Sequence, residues 1–126
     1  MILKVKIPTT VSLTDGSKKV ITGDIPNNWF EENQTPKQIK IGNDCHHIGD
    51  LAFYNSFNIT NEVFIPPNVF SIGKNAFAIS YKLPNVIFSE GLTKIGDGAF
   101  FLTAIKTLRL PNSIISIGHS SFRSCV

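Results

Sequence analysis

Asp44-Cys45-His46-His47 is the only dense run of reactive side-chain types in this chain of 126 residues. Those types could do two kinds of chemistry. A thiolate, an imidazole and a carboxylate are metal ligands, and a cysteine beside a histidine is a thiol nucleophile with its base. Adjacent side chains in extended chain point to opposite faces, so His46 and His47 are badly placed to share one ion. No Gly-rich phosphate loop, H-E-x-x-H, G-x-S-x-G or paired C-x-x-C accompanies the run. Whether Cys45 is free to react depends on the elements around it.

Those elements repeat. Ile48-Gly49-Asp50-Leu51-Ala52-Phe53, Ile72-Gly73-Lys74-Asn75-Ala76-Phe77 and Ile95-Gly96-Asp97-Gly98-Ala99-Phe100 restate one phrase, with Ile117-Gly118-His119-Ser120-Ser121-Phe122 a worn copy. The copies start 24, 23 and 22 residues apart, a solenoid spacing and too short for independent domains. Ile25-Pro26-Asn27-Asn28-Trp29-Phe30 has the same shape, with Pro for Gly and Trp for Ala.

Between copies lies an apolar-x-apolar triplet with the period of a strand: Ile39-Lys40-Ile41, Val63-Phe64-Ile65, Val86-Ile87-Phe88 and Leu108-Arg109-Leu110. In every case the next motif Ile lies nine residues after the triplet starts, so the register is firm and only the segment between Phe and strand varies. The first and third triplet residues are expected in the core and the middle one in solvent. Six residues after each triplet starts comes another apolar position, occupied by Cys45, Val69, Leu92 and Ile114. Cys45 therefore reads as a core residue, and His46 and His47 as a linker between two core positions. The motif itself reads as a Gly turn followed by a short helical or irregular segment whose Ala and Phe pack inward, with a backbone at the Gly that a side chain would obstruct. Phe30, Phe53, Phe77, Phe100 and Phe122 are expected to stack as an internal ladder, each worth roughly 1.5–3 kcal/mol when buried.

These residues resemble the BspA-like class of leucine-rich repeats, with the approximate pattern L-x-x-I-x-[LIF]-P-x-x-[LIV]-x-x-I-G-x-x-A-F over about 23 residues. Leu108 through Gly118 and Val63 through Phe77 match it closely. The departures are Pro26 for Gly, Gly42 and Ser89 for the strand-end Pro, and Ser121 for Ala. The expected fold is an α/β-type, strand-rich solenoid of about four to five rungs over residues 25–126. Residues 1–24 form an N-terminal β cap within the same structural domain, with Thr14-Asp15-Gly16-Ser17 turning a hairpin between Val11-Ser12-Leu13 and Val20-Ile21. The resemblance implies a recognition scaffold, as in bacterial surface adhesins, protist surface proteins and phage particles, with no catalytic residues to carry over and no cofactor.

Composition bounds the rest. A formal charge of +3, with the lysines scattered, gives no basic block of the kind that binds nucleic acid. No apolar run approaches a membrane span, and the opening residues Met1 to Pro8 alternate in place of forming a signal peptide. An intracellular protein or a particle component is expected. Cys45 and Cys125 follow the first and fourth strands of the series. Three rungs of about 4.8 Å put them roughly 14 Å apart, beyond the ~7 Å reach of a disulfide, so two free thiols are expected.

Function is expected on the outward strand positions Lys40, Phe64, Ile87 and Arg109, with Gln38, Glu62, Asn85 and Thr107 beside them. Two apolar residues with a basic rim have the anatomy of a protein interface; the same pair would also serve as ordinary cross-strand packing. The readings carried forward are a non-enzymatic protein–protein recognition module and a structural or decoration component of a phage, virus or other assembly. The outlier is a thiol- or metal-dependent enzyme using Cys45 and His46. The partner class is protein, including self-association through a C-terminal end that lacks a capping repeat.

Overall fold

The computed structural model describes residues 10–15, 18–29 and 37–125. The expected alternation at Met1 to Pro8 and the stacking of Phe30 lie outside them. Nine short strands follow in order: β1 (Thr10–Asp15), β2 (Lys18–Thr22), β3 (Gln38–Ile41), β4 (His47–Ile48), β5 (Val63–Phe64), β6 (Ser71–Ile72), β7 (Val86–Ile87), β8 (Lys94–Ile95) and β9 (Ser116–Ile117). They build three sheets, ordered β1-β2-β3, β4-β6-β8-β9 and β5-β7. β1 and β2 pair antiparallel, as the Asp-Gly signal implied, and all the other pairings are parallel.

The register follows the repeat. Ile48 pairs with Ile72, Ile72 with Ile95 and Ile95 with Ile117, and a bridge from Ile25 to Ile48 extends the series. Val63 pairs with Val86 and Phe64 with Ile87. Each chain segment therefore lies against its own counterpart one repeat away. Between the sheets the turns are tied in the same way: Phe53 N–H donates to Ala76 O (2.6 Å), Phe77 to Ala99 (2.7 Å) and Phe100 to Ser121 (2.8 Å).

No helix occurs among the described residues, so none there is long and apolar enough to cross a membrane. The Ala-Phe segment, expected as helical or irregular, is a run of turns. The cause is a residue with left-handed dihedrals at two places in the repeat. Leu51, Asn75, Gly98 and Ser120 have φ of 59°, 54°, 65° and 58°, and Asn55, Ile79, Leu102 and Ser124 have φ of 59°, 63°, 57° and 58°. Two positive φ values only four residues apart leave no room for a right-handed helix between them.

The core is the inward side of these segments. Phe53, Phe77 and Phe100 are fully buried. Rings stack from Phe53 to Phe77 at 4.9 Å, from Phe77 to Phe100 at 5.3 Å and from Phe100 to Phe122 at 5.3 Å, with planes within 17° of parallel. Such offset stacks add to the area each ring buries. Ala52, Ala76 and Ala99 are buried beside them. Where Ser121 replaces the Ala, its hydroxyl donates to Gly118 O (2.6 Å) and lies 3.1 Å from Gly96 O. The motif glycines answer to space and not to dihedral freedom. A Cβ on Gly73 would sit 2.6 Å from Asp50 N, and one on Gly118 would sit 2.4 Å from Asp97 N. The preceding repeat's backbone occupies the room.

The triplets obey the expected alternation three times out of four. Ile39, Ile41, Val63, Ile65 and Val86 are buried and Phe88 is half-buried against the core. Leu108-Arg109-Leu110 is not a strand, and Leu108 and Leu110 are 43% and 37% exposed. Ile115 and Ile117, at 83% and 42%, share this end of the stack. The counterparts of Ile117, which are Ile48, Ile72 and Ile95, are buried under the next repeat; Ile117 has no such cover among the described residues, and Ile115 stands where Phe70 is also exposed.

Candidate functional site

The reactive run opens out in four directions. Cys45 is fully buried, in line with the core slot shared by Val69 and Leu92. Its Sγ lies 3.5 Å from His47 O, and burial pushes the thiol up to about 11, opposite to what a nucleophile needs. Asp44 accepts the Gly23 N–H at 2.8 Å. His46 is exposed, its N–H donating to Asp24 Oδ1 at 2.7 Å and its Nδ1 3.3 Å from the same oxygen. His47 turns the other way, with Nδ1 hydrogen-bonded to the Ser71 hydroxyl. Among the described residues no three His, Cys, Asp or Glu side chains converge. The second cysteine, Cys125, is half-buried and free, with Sγ 3.3 Å from Phe100 O.

The strand face is more coherent. Phe64 and Ile87 are cross-strand neighbours on β5 and β7, 49% and 42% exposed. Val63, Ile65 and Val86 take the inward positions, so the alternation itself presents the pair to solvent. Glu62 and Asn85, one position earlier, are joined by a hydrogen bond from Asn85 Nδ2 to Glu62 Oε2 of 3.1 Å. Exposed Thr107 and Arg109 line a cleft of about 210 Å³ together with Asn85, Val86, Ile87 and Phe88. Gln38, half-buried, and Lys40, exposed, sit on β3 in a different sheet. That strand approaches β5 through Lys37, whose carbonyl takes the N–H of Thr60 (3.1 Å) and Asn61 (3.3 Å).

A second groove, of about 420 Å³, crosses the β4-β6-β8-β9 sheet. One bank carries His47, Ser71, Lys94 and Ser116, the other Asp50, Lys74 and Asp97, and Gly73, Gly96 and Gly118 floor it. Reading the motif residues as structural passes over it. The signal lay in the positions just before the motif Ile and just after its Gly, which change chemistry from copy to copy.

With fold and faces in place, the comparisons agree. The BspA type leucine rich repeat region model matches residues 6–126 in six copies, beginning ahead of Ile25. The chain belongs to the BspA-type leucine-rich repeat family. Its fold is similar to the crystal structure of the leucine rich repeat protein of T. pallidum, at TM-score 0.77 and 20% identity over 96% of this chain and 68% of that one. A leucine rich cell surface protein of Faecalibacterium prausnitzii is a more distant match, at TM-score 0.48 and 17% identity over 93% of this chain and 50% of that one. No curated protein matches the chain.

Proposed function

We propose that this chain is a leucine-rich-repeat solenoid of four to five rungs that works as a non-enzymatic protein–protein recognition module. Its binding face centres on Phe64 and Ile87, with Lys40 and Arg109 at the rim. The single observation that carries this reading is the exposed apolar pair on β5 and β7. Large exposed apolar residues rimmed by charge are where protein interfaces concentrate. The membership in a repeat family of recognition scaffolds supports the class of function, and the diverging side chains around a buried Cys45 weigh against the thiol or metal enzyme.

The test is a paired capture experiment. Phe64→Ser combined with Ile87→Thr should abolish retention of proteins that the unmodified chain captures. The thermal midpoint should move little, because the two side chains are already half in water. Retention unchanged by the double substitution would sink the face. Native mass measurement separates the reading of an assembly component: a stable oligomer favours that reading, and a clean monomer favours the recognition module.

A further inference from the structure

At three junctions between neighbouring repeats, a side-chain oxygen just after the motif Gly or Pro takes a backbone N–H of the next repeat. Asn27 Oδ1 accepts from Asp50 N–H at 2.7 Å, Asp50 Oδ1 from Lys74 at 2.8 Å and Asp97 Oδ1 from His119 at 2.8 Å. The junction between Lys74 and Asp97 breaks the series. Lys74 stands where the acceptor belongs, and the Asp97 N–H has no partner among the described residues. A hydrogen bond that every neighbouring junction makes is forgone here, and departures from a local structural rule concentrate at functional sites.

The surroundings say what would fill the gap. Lys74 and Lys94 both line the groove across the β4-β6-β8-β9 sheet, and neither pairs with a carboxylate among the described residues. The other charged or titratable groups lining it are His47, Asp50 and Asp97. His47 is engaged with Ser71. The two aspartates serve the junctions on either side, Asp50 toward Lys74 N–H and Asp97 toward His119 N–H. What remains is an N–H donor, with two ammonium groups offsetting the two aspartate charges on the banks of the same groove, at the one place where the repeat otherwise puts a side-chain oxygen acceptor.

We propose that this junction receives the carboxylate of an Asp or Glu side chain from a protein partner, which completes the ladder that Lys74 interrupts. The proposal rests on the reading of the chain as a protein-recognition module. It assigns a contact on a different sheet from Phe64 and Ile87. An exposed charged contact of this kind is individually weak, so its role is to set the register of a partner lying along the groove.

The test needs no partner. The whole chain, labelled with ¹⁵N, is titrated at low ionic strength with N-acetyl-aspartate N-methylamide, whose only charge is the side-chain carboxylate. The Asp97 amide should shift saturably, with a millimolar midpoint, while Gly49 stays still. Lys74→Asn should weaken the response at least tenfold and raise the Tm by about 2–5 °C, because Asn restores the missing acceptor. Lys40→Gln should leave the titration unchanged. An Asp97 amide that does not saturate, or a Lys74→Asn chain that responds like the original, would overturn the proposal. So would an equal or stronger response to N-acetylglycine, which carries a main-chain carboxylate instead. Partner capture retained in the Phe64/Ile87 variant with this titration intact would mean that the strand-face reading has failed and this one has not.

Discussion

Two repeats with nearly the same spelling, Val63–Phe77 and Leu108–Phe122, fare differently. In the first, Val63, Ile65, Val69, Ile72 and Phe77 are at most 1% exposed. In the second, Leu108, Leu110 and Ile117 are 37–43% exposed and Phe122 is half-buried. Local backbone shape survives the change: Asn75 and Ser120 share a left-handed φ, at 54° and 58°, and Ile72, Ile95 and Ile117 keep one register. The turn conformation and the motif-Ile register are thus set by a repeat's own residues and its predecessor, whereas its burial, and with it the triplet strand that Leu108-Arg109-Leu110 lacks, depends on its successor. That division is what quasi-one-dimensional stacking implies.

The largest test of the division is the phenylalanine ladder. Phe77 has a ring stacked on each side, at 4.9 and 5.3 Å, and among the described residues Phe122 is stacked on Phe100 alone. Phe77→Ala should cost about 3–5 kcal/mol in denaturant unfolding, as for a fully buried ring that leaves a cavity. Phe122→Ala should cost about 1–2 kcal/mol, since part of its area is already in water. Equal losses would mean that the last repeat is covered as well as the inner ones.

The two cysteines sharpen the same contrast at smaller energy. Cys45 occupies an inner core slot and Cys125 lies half-buried in the last repeat. In the native protein at pH 8, iodoacetamide should label Cys125 and spare Cys45. Burial raises the Cys45 thiol from 9.0 to about 11, so the folded state holds the proton more tightly than the unfolded one. Its stabilising contribution is complete below pH 9 and is lost as the pH rises through 11, about 2–3 kcal/mol in all. Cys45→Val should remove that part of the alkaline decline. If the decline is the same in both proteins, another group causes it.

What could be read from residues alone follows from the same physics. The triplets and the nine-residue step were legible because burial selects apolar types at each inner copy. Leu108-Arg109-Leu110 carries the same letters, but what covers a repeat is not written in that repeat. The turns in place of a helix were hidden because Leu51, Ile79 and Leu102 hold positive φ, where no side-chain type announces it. Of the residues proposed for recognition, the Phe64–Ile87 pair and the Asn85–Glu62 bond come together as alignment predicts, while Lys40 sits on a separate sheet. The second groove escaped because Asp50 and Lys74 look like ordinary surface charges until hydrogen bonds show one completing a ladder and the other interrupting it.

The glycines supply the converse test, since their constraint comes from the preceding repeat. A Cβ on Gly73 would meet Asp50 N at 2.6 Å, and one on Gly118 would meet Asp97 N at 2.4 Å and Asp97 Cα at 2.7 Å. In both cases the obstacle is main chain in a hydrogen-bonded ladder and cannot swing aside as a side chain would. Gly73→Ala and Gly118→Ala should therefore cost similar amounts, roughly 1–3 kcal/mol for overpacking at a tight backbone contact, although the second lies in the repeat whose apolar residues are exposed. Together with the unequal phenylalanine pair, equal glycine losses would show that coupling between repeats is directional: steric constraint is passed forward along the chain and burial is passed back. A small loss at Gly118 beside a large one at Gly73 would instead mean that the last repeat is loose as a whole, and the directional account would fail.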